Sequence, residues 1–287
     1  MNTDIKKLFR TFATENHAPG SNAPGSYVTA LNKIDTALHQ HNIILSPDES
    51  VWEIRDIERL LNLHQFILGE QKKVDGGIFC NEQSPSYWQN SFCSAAIKDF
   101  TKFLTLSAHQ KEIFKHFNET NNAEQLIEKI KEVQITPNKS LIDDNISLNS
   151  LEGKTQLREV EIRQNQNVFR NMILNIYQNQ CCITGLPVKE VLRASHISAW
   201  ANDKKNRMNP ENGLCLSATY DAAFDRHLIS LDENYRLILS PALKEYCTNE
   251  AYKKYFENFY GKTITLPTRF LPSQVLLEKH RNKLVRG

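Results

Sequence analysis

LRASHISAWANDKKNRMNPENGLCLSATYDAAFDRHLIS, residues 192–230, is the stretch that decides the fold. Residues 192–196 and 213–216 read as two short strands, and 198–211 between them is polar, with Lys204, Lys205 and Arg207. Ser217 stands where a helix cap is expected, just ahead of a helical stretch over 218–226. The expected order is strand, long loop, strand, helix.

Several side chains in this stretch suit chemistry, although each alone has a plain structural explanation. His196 ends the first strand, and a single histidine is more often packed than catalytic. Asn212 opens the second strand before Gly213, a pair that also makes turns. Asp221 and Asp225 are four apart on the helix and share a face. Two carboxylates so placed repel each other unless a hard divalent cation takes both as ligands. A surface pair, or an Asp contact to Arg226, is the structural alternative. Arg193, Lys204, Lys205, Arg207 and Arg226 are candidates for phosphate contact, a role that the forked guanidinium suits well. Solvated loop charge weighs about equally.

Working outward, the chain has 287 residues, 40% hydrophobic and 24% charged, which excludes a disordered, collagen-like or rod-like protein. No apolar run reaches membrane-span length, and MNTDIKKLFRTF lacks the apolar core of a secretion signal. Six cysteines in such a chain read as reduced thiols, so a cytoplasmic protein is expected. A net charge of +2 is low for a protein that coats nucleic acid, but it leaves room for a local basic face. Residues 242–287 hold nine Lys or Arg against four Glu, an excess more often a solvated helix face than a phosphate track.

The N-terminal third reads as helical. Ser26 is a candidate cap, with Tyr27, Leu31, Ile34 and Leu38 on one stripe of the helix after it. A second helix is expected over 51–68, with Ile54, Ile57, Leu61 and His64 among its spaced positions. A third over 87–106 carries Phe92, Ala96, Phe100 and Phe103, whose spacing fits a core. Shorter helices are expected near 108–117 and 123–133. The polar stretch that follows holds Asn, Ser and Asp punctuated by Leu and Ile, and reads as a linker. A further helix is expected over 168–177. These readings give an all-α domain over 1–134, a linker over 135–157 and a second domain over 158–287.

The ordered set in 195–230 resembles the HNH endonucleases, the ββα-metal nucleases, and in particular their restriction-type branch. RQNQNVFRNMILNIYQNQCCITG, starting at Arg163, looks like that branch's lead-in, and FYGKTITLP with LLEKH looks like its C-terminal segment. About 120 residues, from Arg163 to the end, are covered. The resemblance implies an α+β chain: an all-α N-terminal domain for recognition, dimerisation or docking, then a ββα-metal nuclease domain with flanking helices. It implies a DNA endonuclease, in which His196 matches the general base and Asn212 the asparagine that orients it. Asp221 and Asp225 match metal-ligand positions. Ser195 stands where the family often has a third ligand, and serine binds metal poorly.

Carboxylates in place of histidines favour Mg²⁺, with Mn²⁺ as a possible substitute. No CxxC pair is present, since Cys181 and Cys182 are adjacent and Cys215 stands alone, so no structural zinc is expected. Bacterial restriction or anti-phage defence is the implied setting. DNA, a second copy of the chain, defence-system proteins or a cognate methyltransferase are the implied partners. A catalytically silent DNA-binding module, or a toxin-type nuclease with an immunity partner, stands as the alternative.

Overall fold

A computed structural model of the chain describes residues 2–73, 76–79, 85–143, 145–201 and 203–285. The chain divides into two compact units, Met1–His109 with Ile135–Val160, and Gln110–Gln134 with Glu161–Gly287. Seven helices come first in chain order: α1 (Asn2–Asn16), α2 (Ala23–Gln40), α3 (Ile57–Glu70), α4 (Ser86–Gln89), α5 (Phe92–Glu119), α6 (Ala123–Glu132) and α7 (Leu151–Ile176).

The first unit is built on rings. Phe9 of α1, Trp52 and Phe100 of α5 meet edge to face, with centroids 5.3 to 5.9 Å apart. Leu31, Ile34 and Leu38 of α2 are buried around them, as their spacing requires. The second expected helix starts later than its periodicity indicates. Residues 51–53 form a 3-10 turn closed by a Ser50–Glu53 capping box. Asp56 then caps α3, its carboxylate accepting from the Glu58 and Arg59 amides at 2.9 and 3.2 Å. The buried stripe accordingly falls on Leu60, Leu63, His64 and Ile67, leaving Ile57 and Leu61 less buried.

The units depart from the expected linear division. α5 runs unbroken where two helices were expected, and its end joins the second unit. Ile113 and Phe117 of α5, with Leu126 and Ile130 of α6, share a core with Phe169 and Met172 of α7. The expected linker is ordered as well. Its apolar residues Leu141 and Ile142 are buried, and the buried Asn138 donates to the Thr105 hydroxyl at 3.0 Å. From Leu151 the chain is already helical.

The second unit continues with β1 (Leu192–His196), β2 (Gly213–Ser217), α8 (Ala218–Asp225), β3 (Ile229–Leu231), β4 (Leu237–Leu239), α9 (Glu250–Tyr255) and α10 (Gln274–Arg281). β1 and β2 pair antiparallel, with Leu192 opposite Ser217, Ser195 opposite Leu214 and His196 opposite Gly213. α8 follows β2 directly and packs against both strands. Ser217 takes the cap position of α8 but makes no side-chain cap bond. β3 and β4, three residues each, form a second antiparallel pair too short to show a period in sequence.

Asn212-Gly213 is not a turn. Gly213 is extended, at φ −131° and ψ 143°, and its value lies in what it lacks. A Cβ there would run into the Ile173 side chain and stand 2.9 Å from Phe169 Cζ. Gly213→Ala is therefore expected to cost about 1–3 kcal/mol through overpacking. Urea unfolding of the full chain checks this, and adding Ile173→Val, which removes the crowding methyl, is expected to recover part of the loss.

Candidate active site

β1 delivers His196 to an open cleft of about 440 Å³ that is also lined by Ser195, Arg193, Asp221 and Asp225. The imidazole is held from three sides. It stacks on Phe169 of α7, with centroids 3.8 Å apart and planes 14° off parallel. Trp200 meets it edge-on at 5.4 Å. Its Nε2 lies 3.0 Å from the carbonyl oxygen of Arg207. A carbonyl only accepts, so Nε2 carries the proton and Nδ1 keeps a lone pair that no described residue engages. Burial holds the ring below its ordinary pKa, although the bond to Arg207 works the other way. His196 is thus neutral at pH 7, in one tautomer and one orientation.

Asn212 lies beneath the cleft, fully buried. Its Oδ1 accepts from the Ser198 amide at 2.7 Å, while its Nδ2 donates to the carbonyls of Ser198 and Asn206 at 3.1 and 3.0 Å. These bonds close the loop between β1 and β2. The backbone of Ile197, next to His196, also donates to the Asn212 carbonyl at 2.9 Å.

Asp221 and Asp225 reach the cleft from α8, one turn apart. Partial burial first, and then the charge of Asp221, push the Asp225 carboxyl above its ordinary value. Neither carboxylate has a hydrogen bond or ion pair among the described residues. Ser195 is 2% exposed, and its Oγ has no hydrogen-bond partner. A buried hydroxyl without a partner is costly and needs a reason. No group of three or more His, Cys, Asp or Glu side chains is placed to hold a metal among the described residues. Asp221 and Asp225 give the cleft two carboxylates, the donor type that a hard cation takes, whereas the Ser195 oxygen is itself buried. Cys181, Cys182 and Cys215 lie in the core instead, and burial pushes the Cys215 thiol up to about 12.

The basic candidates separate. Arg193 lines the cleft. Lys204 and Lys205 are exposed on a 3-10 turn over Lys204–Asn206. Arg207 turns its side chain back into the loop, donating to the Trp200 carbonyl at 2.7 Å. Arg226 is exposed at the end of α8 and bonds the Ala222 carbonyl. The last four are not among the cleft residues. Sequence reading assigned no role to the wall opposite, where α7 contributes Gln166, Asn167, Phe169 and Arg170. Their signal was present in the lead-in, as polar residues flanking a Phe-Arg pair.

His227 and His280, which had no assigned role, form a cluster behind α8. His280 Nε2 lies 3.1 Å from the Phe224 carbonyl and 3.0 Å from His227 Nδ1, and its Nδ1 lies 2.9 Å from the Ser230 hydroxyl. Its ring stacks on Phe224 at 3.8 Å. This couples α10 to the helix that bears Asp221 and Asp225.

Residues 181–232, within the C-terminal half of the chain, match the family model described as HNH endonuclease. The match includes His196, Asn212, Asp221 and Asp225. No curated protein matches the chain. Nucleases of this family generally use a divalent metal ion.

The His280 cluster sets a pH response. Burial, and then the neighbouring His227, lower His280 to about 4. The unfolded chain takes up this proton near pH 6.5, so the native state loses stability as pH falls from there towards 4. The slope is at most about 1.4 kcal/mol per pH unit for one proton. Urea midpoints between pH 7.5 and 4.5 are expected to fall accordingly, and less steeply in His280→Gln.

Proposed function

We propose that the chain is a Mg²⁺-dependent DNA endonuclease, with Mn²⁺ able to substitute, that hydrolyses phosphodiester bonds. The observation that carries this reading is a neutral histidine of fixed tautomer sharing an open cleft with two unpaired carboxylates.

His196 Nδ1 takes the proton of the attacking water while Nε2–H stays on the Arg207 carbonyl, so the ring does not turn as it is charged. Asn212 keeps that carbonyl in place by holding the loop that leads to it. Asp221 and Asp225 would hold the divalent ion. When bound, that ion supplies charge relief at a phosphate oxygen and at the departing 3′ oxygen. Arg193 contacts a phosphate within the cleft, and Lys204, Lys205, Arg207 and Arg226 serve phosphates further along the DNA.

A single site of this kind cuts one strand, so double-strand breakage calls for a homodimer or two events. Bacterial restriction or anti-phage defence is the setting that the lead-in and C-terminal segments favour, with defence-system proteins or a cognate methyltransferase as partners and the cytoplasm as the place. No helix among the described residues is long and apolar enough to cross a membrane. A silent DNA-binding module is the second reading, favoured by Ser195 in place of a stronger ligand.

A supercoiled-plasmid assay decides between them. Open circles or linear DNA are expected with Mg²⁺ or Mn²⁺ and none with EDTA. His196→Ala is expected to lose about 10²–10⁴ in rate. Asp221→Ala is expected to abolish cleavage and to weaken Mg²⁺ binding in calorimetry. Because His196 is held below its ordinary value, the wild-type rate should stay level from pH 8 to about 6.5 and fall only below it. DNA binding without cleavage under every metal and pH would establish the silent module.

A further inference from the structure

From Arg163 to Arg170 the helix α7 carries no acidic residue, and Arg163, Gln166, Asn167 and Arg170 recur at spacings of three, one and three. At 3.6 residues per turn these four occupy one face, over about 10 Å of helix. Three of them, Gln166, Asn167 and Arg170, line the cleft that holds His196, and Arg163 extends the stripe one turn beyond it. Arg163, Gln166 and Asn167 are exposed, and their side chains have no hydrogen bond or ion pair among the described residues.

The stripe is set rigidly against the base. Phe169, between Asn167 and Arg170, is the ring on which His196 stacks. Arg170 spans from α7 to the start of β1, donating to the carbonyls of Leu192 and Lys189 at 2.7 and 3.1 Å. Two of its five N–H donors are used there, which fixes the guanidinium and leaves others for an anion. A polyanion whose reacting phosphate lies at His196 is bordered on one side by this face.

Resting on the nuclease reading, we infer that the Arg163–Gln166–Asn167–Arg170 face of α7 binds the DNA duplex next to the scissile phosphate. The arginines take backbone phosphates, and the two amides read base edges. Amide side chains suit that task because each offers a donor and an acceptor together, as an adenine edge requires. The face is therefore a source of cut-site preference within the nuclease unit itself.

The test uses the full chain and three variants, Arg163→Ala, Gln166→Ala/Asn167→Ala and, as a control of the same chemistry on other faces of α7, Gln164→Ala/Asn165→Ala. Plasmid cleavage gives kcat and KM, sequencing of the cut ends gives base preference, and anisotropy of a labelled duplex in a His196→Ala background gives affinity against salt. Arg163→Ala is expected to raise KM about fivefold to tenfold and to lower the salt slope of binding by about one. Gln166→Ala/Asn167→Ala is expected to flatten base preference beside the cut with kcat changed less than KM, and the control to match the wild type. Wild-type cleavage with KM, salt slope and preference untouched by the first two variants, or changed equally by the control, overturns the inference and leaves the nuclease reading intact. A wild type that neither cuts nor binds DNA overturns both.

Discussion

One buried amide ties the candidate site together. Asn212 has no exposure and spends its side chain on the backbone of Ser198 and Asn206. These bonds turn the polar loop between β1 and β2 into a fixed strap, and Arg207, whose carbonyl anchors His196, follows Asn206 directly. A net hydrogen bond contributes about 0.5–1.5 kcal/mol, but orphaning its buried partner costs about 1–3. Loss of the Asn212 amide would orphan the Ser198 carbonyl and amide at once, while the Asn206 carbonyl keeps its bond from the Asn209 amide. The orientation of the His196 ring thus depends on a residue that does not line the cleft.

Gly213 completes the arrangement from the other side. It faces His196 across the strand pair and leaves room for Ile173 and Phe169 to approach the sheet. Phe169 can then lie flat on the imidazole. Asparagine supplies the strap and glycine the clearance, which is a physical reason for the two to be adjacent. Burial under Phe169 and Trp200 keeps the histidine uncharged, the form that the proposed role as a base requires.

Much of this was legible in sequence because it is local. The strand lengths, the loop between them and the helix with two aspartates a turn apart follow from spacing over fewer than forty residues. The helical stripe of Leu31, Ile34 and Leu38 was equally plain, being an unbroken period. What was not legible depends on contacts between distant segments. Nothing near Ile113, Phe117 or Leu126 announces that they pack with Phe169 and not with the helices before them. The linker misled because its polar residues outnumber Leu141 and Ile142, yet those two are enough to bury it. His280 meets His227 across 53 residues of sequence, and no spacing rule reaches that far.

The two histidine sites show opposite uses of burial. His280 has all its ring positions taken by Phe224, His227 and Ser230, so its low pKa only adds a liability to acid. His196 is bound at one nitrogen and open at the other, so its low pKa leaves a base available at neutral pH. Beside it the cleft keeps an unpartnered hydroxyl at Ser195 and a carboxyl at Asp225 raised partly by its neighbour Asp221. A fold under selection for stability alone would satisfy the first and separate the second pair. Both costs fall in the cleft that holds His196, whose Nδ1 no described residue engages. That coincidence of unsatisfied groups is the physical ground for proposing a cation and phosphate site there rather than an ordinary polar surface.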